Sequence, residues 1–158
     1  MSKAALRPFL PADGPALAEI FRASIEGLTG EDYSPAQQAA WAAMADDEDA
    51  FSARLAQNLT LVATVAGAPV GFAVLKGIDR IDMLYVHPAA TGQGVAALLT
   101  NALEKLAGAR GAKRLAVEAS DTARGFFERC AFQAQRRGTA SLGGEWLGST
   151  VMEKRLTA

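Results

Sequence analysis

The chain has 158 residues, half of them apolar and 21% charged, which suits one globular domain over residues 1–158 and leaves too little chain for two. A formal net charge of −1, one cysteine (Cys130) and one histidine (His87) argue against a nucleic-acid groove, an intrachain disulfide, multi-Cys or His-based metal sites and most Ser/His/Asp arrangements. No apolar run approaches the roughly 20 residues needed to span a bilayer and no apolar signal segment opens the chain, so the expectation is a cytoplasmic protein without a membrane partner.

Leu6 to Leu10 reads as an opening strand, after which Asp13 is placed to cap a helix that carries Pro15 in its first turn. Leu17, Ile20, Phe21, Ile25 and Leu28 recur on one face of that helix. Ser34-Pro35-Ala36-Gln37 has the form of a capping box and starts a second helix bearing Trp41 and Met44. The acidic run Asp46–Asp49 breaks it, and a further turn or two covers Phe51 and Leu55.

From Thr60 the period changes to that of strands: Leu61–Val65 and Pro69–Leu75 around the turn Ala66-Gly67-Ala68, then Arg80–Val86, halted by His87-Pro88. Val95, Leu98, Leu99, Ala102, Leu103 and Leu106 define an amphipathic helix that ends near Gly108 and Gly111. Leu115–Ala119 is a strand, Asp121–Arg129 a short helix, and Phe132 onward a strand, with Gly143-Gly144 turning into a last strand around Leu147–Leu156. The order predicts a mixed α/β domain.

Between Val86 and the helix that begins near Val95 lies a loop with two closely spaced glycines, Gly92 and Gly94. Such a loop lets backbone approach a ligand, and its N–H groups at a helix N-terminus favour an anion. The helix dipole is worth about 0.3–1 kcal/mol, so direct N–H bonds must supply most of the grip. The Gly-Lys-Ser/Thr of a nucleotide P-loop is absent, and the third glycine of a dinucleotide fingerprint is missing.

Leu84-Tyr85-Val86-His87-Pro88 followed by Gly92-Gln93-Gly94-Val95-Ala96 and an Ala/Leu-rich helix resembles the central motif of the GNAT superfamily of acetyl-CoA-dependent N-acyltransferases. Ala123-Arg124-Gly125-Phe126-Phe127-Glu128-Arg129-Cys130-Ala131-Phe132 resembles that superfamily's short-helix motif, in the correct order. The likeness covers roughly Leu61 to Leu156 well, and the N-terminal helices in outline. It implies an α/β (α+β) fold: a twisted, mostly antiparallel sheet of about seven strands, flanked by about four helices, with splayed fourth and fifth strands.

The resemblance further implies acetyl-CoA as acyl donor, with no metal. Its pantetheine arm would bond to backbone at Leu84, Tyr85 and Val86, and its pyrophosphate would lie on the loop from Thr91 and Gly92 through Gln93, Gly94, Val95 and Ala96 to Ala97. Ser120, Ala123, Phe126 and Phe127 would line the arm and thioester. Tyr33 and Trp41 would roof the site of a small-molecule or peptide amine.

Three positions depart from the family pattern. Thr91 stands where an arginine or glutamine commonly opens the phosphate loop, and Ala131 where glycine precedes Phe132. Phe127 occupies the place of a tyrosine that protonates the departing thiolate. General acid catalysis is worth about 10²–10⁴-fold, yet a thiol of pKa about 8.5 leaves tolerably unaided. Tyr85, Ser120 or a water could substitute.

An attacking amine of pKa about 10.4 must lose a proton. Glu118 is the first candidate base and Asp82 the second, the plainer reading of either being a solvated carboxylate or a salt bridge. His87 reads as a turn residue and Cys130 as a buried thiol. Direct acetyl transfer to a primary amine is the leading reading, and a non-catalytic acyl-CoA sensor is the alternative. The last strand, Leu147–Leu156, is a candidate edge for a homodimer.

Overall fold

The computed structural model of the chain describes residues 3–156. Its elements are β1 (Ala5–Pro8), α1 (Gly14–Leu28), α2 (Pro35–Ala42), α3 (Glu48–Gln57), β2 (Leu59–Val65), β3 (Ala68–Lys76), β4 (Arg80–Val86), α4 (Val95–Ala109), β5 (Arg114–Ser120), α5 (Arg124–Arg129), β6 (Gln133–Leu142) and β7 (Glu145–Arg155). The seven strands form one sheet in the order β1-β2-β3-β4-β5-β7-β6. Every neighbouring pair is antiparallel except β4 and β5.

Local chemistry explains most boundaries. At α2 the capping box forms: Gln37 N–H donates to Ser34 Oγ at 3.2 Å and Ser34 N–H to Gln37 Oε1 at 2.8 Å. The acidic run starts a helix as well as breaking one, because Asp47 Oδ1 accepts the Ala50 N–H at 3.0 Å. The expected turn or two is therefore the ten-residue α3. Asp13 does not cap α1; its carboxylate turns back to accept Leu10 N–H at 2.8 Å and both Arg7 terminal nitrogens at 2.7 and 2.8 Å. Burial makes a paired carboxylate preferable to a singly bonded one, and the Arg7 guanidinium holds Asp13 below the usual carboxylate range.

Both faces of the sheet are covered. On one, Leu99, Leu103 and Ala107 of α4 pack on Ala73, Leu75, Ile81, Leu115 and Val117. On the other, Leu17, Phe21 and Ile25 of α1 meet Phe51 and Leu55 of α3 over Val62, Phe72, Val74 and Met83. Burying each large apolar side chain is worth roughly 1.5–3 kcal/mol.

Two irregularities in the middle of the sheet position the site. Val74 pairs with Met83 and Leu75 with Ile81, so Asp82 is the extra residue of a β-bulge. The bulge reverses the alternation: Ile81 joins the α4 layer and Met83 the α1 layer. The parallel β4–β5 ladder, moreover, has just two rungs, Arg80 with Ala116 and Ile81 with Val117, and then the strands part. The last strand is no sheet edge: β7 is paired with β5 on one side and β6 on the other. Its backbone groups are already bonded, so an edge contact would have to use β1 or β6.

Candidate active site

The loop after β4 is built for donors. His87 Nδ1 accepts the Ala89 N–H at 3.0 Å, and Thr91 Oγ1 donates to Pro88 O at 2.9 Å. These bonds close a tight 3-10 turn over Pro88–Ala90. Gly92 and Gly94 follow at φ +77° and +79°, the left-handed region, with open space where a Cβ would stand. Their requirement is conformational, not steric crowding. The first backbone bond of α4 is Leu98 N–H to Gly94 O at 3.0 Å. The N–H groups of Gly92, Gln93, Gly94, Val95, Ala96 and Ala97 therefore reach no acceptor among the described residues. Six such donors around a helix N-terminus suit an extended polyanion.

The parted strands supply the second component. His87 N–H bonds to Val70 O at 2.8 Å, and the register continues through Tyr85 with Phe72 and Met83 with Val74. Antiparallel alternation thus commits the backbone of Tyr85 to β3 and turns the N–H and C=O of Leu84 and Val86 toward β5. The β4–β5 rungs having ended at Ile81 and Val117, these groups face an open gap. Of the three residues whose backbone the family resemblance marks for the pantetheine arm, Leu84 and Val86 present theirs to the gap; Tyr85 does not.

A cavity of about 670 Å³ runs through the gap. Thr91, Gly92, Gly94, Val95, Ala96 and Ala97 line one end, with Ser120, Ala123, Phe126 and Phe127 beside them; Gln93 is not in its wall. Ser24, Ile25, Leu28 and Thr29 of α1 and the following turn, Trp41, Met44 and the β6 residues Ala140 and Leu142 also line it. Cβ of Ala40 lies 3.3 Å from where a Gly143 Cβ would be, and Gln37 Nε2 donates to Trp146 O at 2.8 Å. The β6–β7 hairpin thereby meets α2 and completes the roof.

The candidate acid–base residues all line this cavity, but in different states. Asp82 accepts Arg54 Nε at 3.1 Å and Nη2 at 3.0 Å, a bidentate pair. Glu118 Oε1 accepts Ser149 Oγ–H at 3.1 Å, and Oε2 lies 3.9 Å from Arg80 Nη2. Glu118 is the more open, its side chain 38% exposed against 12% for Asp82. Leu115, Val117 and Ala119 are buried in the α4 layer, and strand alternation puts Glu118 on the other face.

Tyr85 points its ring into the α1 layer, edge-on to Phe21 at 4.7 Å, and burial pushes its phenol up to about 12. Phe127 is buried, 5.2 Å from the rings of both Phe126 and Phe132, with no hydroxyl to offer. Ser120 Oγ accepts the Ala123 N–H at 3.1 Å, closing the turn into α5.

The two expected roof aromatics divide. Trp41 lines the cavity. Tyr33 does not: its buried hydroxyl donates to Gly148 O at 2.5 Å and accepts Asp121 N–H at 2.8 Å, which binds the segment between α1 and α2 to the far strands. Burial raises the Tyr33 phenol above its ordinary value. Arg54, Arg80 and Ser149, the partners of the two carboxylates, were absent from the sequence expectations. They come from α3, β4 and β7, and no local spacing marks them. Cys130 is half-buried and burial pushes its thiol up, the state of an unreactive thiol. No group of three or more potential metal ligands occurs among the described residues.

Comparison with known proteins adds a family. A family model described as "Acetyltransferase (GNAT) domain" matches residues 29–156. Over 153 residues, 96% of each chain, the sequence is 35% identical to the Escherichia coli K12 protein named "Uncharacterized N-acetyltransferase YafP". A crystal structure described as a GCN5-related N-acetyltransferase, "Aminotransferase, Class-II", from Rhodopseudomonas palustris is 58% identical, with TM-score 0.97 over 99% of this chain and 98% of that one. A Thermoplasma acidophilum PaiA N-acetyltransferase, described as in complex with coenzyme A, shares the fold at 18% identity, with TM-score 0.77 over 97% of this chain and 99% of that one.

Proposed function

The chain belongs to the GNAT acetyltransferase family, and on that premise we propose that it transfers the acetyl group of acetyl-CoA to a primary amine by direct attack in a ternary complex. The observation that carries this reading is the continuity of one cavity from the unbonded N–H groups of Gly92 and Gly94–Ala97, past the open backbone of Leu84 and Val86, to the chamber under α1 and α2. The polyanionic end of CoA suits the loop, and its amide-bearing arm suits an unpaired strand edge. The CoA complex of the Thermoplasma relative supports this choice of ligand.

In the reaction the amine nitrogen bonds to the thioester carbon, the C–S bond breaks, and the amine's surplus proton leaves. Developing charge on the carbonyl oxygen calls for a donor in the gap, and the N–H of Val86 or Leu84 suits that task, worth about 2.7–4 kcal/mol in comparable sites. Glu118 is the better candidate base: Arg54 engages both oxygens of Asp82, whereas Glu118 is held by one hydroxyl and a longer ion pair. Tyr85 is the candidate donor to the sulfur in place of the hydroxyl that Phe127 lacks.

A second reading, acyl-CoA binding without turnover, is favoured by Phe127 and by the ion pairing of both carboxylates. Measuring thiol released from acetyl-CoA with a panel of amines separates the two. Amine-dependent release supports transfer; tight CoA binding with no release for any amine supports the sensor.

A further inference from the structure

We propose that the acceptor is a primary amine carried on an uncharged, apolar body, rather than a polyamine or an amino acid; this rests on the acetyl-transfer reading above. The chamber beyond the gap is walled by Ile25, Leu28, Trp41, Met44, Ala140 and Leu142. Leu28 is otherwise an exposed large apolar side chain, which a partner in the chamber would cover.

Charge is the discriminating feature. Of the five charged residues in the cavity wall, Arg129 stands on α5 beside Phe126 and Phe127, and the other four are mutually engaged: Arg54 holds Asp82 through two bonds, and Arg80 lies 3.9 Å from Glu118, which also accepts from Ser149. A second ammonium or a carboxylate on the acceptor would enter an apolar chamber whose charged groups are already paired. The hydroxyls of Thr91, Ser120 and Thr122 belong to the loop before α4 and the turn into α5; those at the α1 end of the wall are Ser24, Thr29 and Tyr85, and Thr29 Oγ1 is already spent on Ile25 O at 2.6 Å. That complement serves one amino group and little more. An apolar wall also disfavours the ammonium form, so the chamber itself promotes the neutral amine that the reaction needs.

The test uses the full chain with acetyl-CoA and three amines of graded charge: 2-phenylethylamine, its carboxylated counterpart phenylalanine, and the diamine putrescine. Thiol release is expected to give a kcat/KM for 2-phenylethylamine at least about tenfold above either of the others. Calorimetric titration of the CoA-loaded protein should show saturable binding of 2-phenylethylamine. Leu28→Asp, at the partly exposed mouth of the chamber, should shrink the preference over putrescine severalfold.

Preference for putrescine or phenylalanine, or failure of 2-phenylethylamine to bind, would overturn the inference while leaving acetyl transfer intact. An unchanged preference in folded Leu28→Asp protein would overturn it too. Saturable binding of 2-phenylethylamine with no thiol release for any amine would uphold the chamber assignment and sink the transfer reading instead.

Discussion

Trp41 Nε1 donates a hydrogen bond to Tyr85 Oη at 3.2 Å. Indole is a donor and nothing else, so the phenol must be the acceptor, and its one hydrogen is left to point elsewhere. The Tyr85 hydroxyl bonds to no other described side chain or backbone group, and its neighbour on the open side is the cavity. In the proposed mechanism the indole is therefore a positioning group, one that turns a rotatable hydroxyl into an aimed donor.

Tyr85→Phe is expected to lower kcat by about tenfold or more, with the Kd for CoA unchanged. Trp41→Phe should produce a smaller fall, because the donor remains and its orientation is lost. Steady-state kinetics alongside CoA titration would check both. Equal activity in Tyr85→Phe would remove the phenol from the mechanism.

The same phenol makes stability depend on alkaline pH. Its pKa rises from 10.0 to about 12 on folding, chiefly because burial disfavours the phenolate, with the Trp41 hydrogen bond acting in the opposite direction. A group raised in this way contributes stability that is fully present below pH 10 and is lost as pH climbs toward 12. The loss attributable to Tyr85 should be on the order of 1 kcal/mol at pH 11. Urea midpoints at pH 8 and pH 11 should fall further apart in the parent than in Tyr85→Phe.

Gly94→Ala forces an alanine to φ +79°, where no atom obstructs the new methyl but the backbone is strained. The cost is about 1–2 kcal/mol. Relaxing it moves the N–H groups of Gly94–Ala97, so the Kd for CoA should rise about tenfold. Calorimetric titration would measure this, and unchanged affinity would argue that the pyrophosphate lies elsewhere.

Ala131 stands at φ +71°. It is the left-handed residue that ends α5, where Phe132 N–H returns to Phe127 O and Ala131 N–H to Glu128 O, both at 3.0 Å. Ala131→Gly relieves the strain at some cost in unfolded-state entropy, for a net gain of about 0.5–1 kcal/mol. A rise of about 1–4 °C in Tm is expected by calorimetry, with activity unaltered.

Features that depend on near neighbours were legible in the chain. Ser34 and Gln37 lie three apart and do form their box; the α4 stripe and the glycine loop are likewise local patterns. Features decided by distant partners were not. Asp13 has the right place for a cap, but Arg7 on β1 competes for it. Asp82 looks like one residue among others in a strand until the register exposes a bulge, and its partner Arg54 lies 28 residues upstream. Tyr33 is aromatic and adjacent to the roof, yet its hydroxyl is drawn to Gly148 and Asp121, 115 and 88 residues on. The seam between β4 and β5 was legible through family likeness alone, since strand composition does not report where a ladder stops.

That seam has a mechanical meaning. With two rungs joining β4 to β5, the sheet is two panels hinged along one line, bridged elsewhere by packing and by the Tyr33 hydroxyl. A molecule that fills the opening supplies the missing rungs and becomes part of the frame. Folding and occupancy are then linked quantities: at a hundredfold excess over its Kd such a ligand adds about 2.7 kcal/mol to stability. On the proposed reading, the melting temperature of this protein becomes a gauge of how much acyl donor surrounds it.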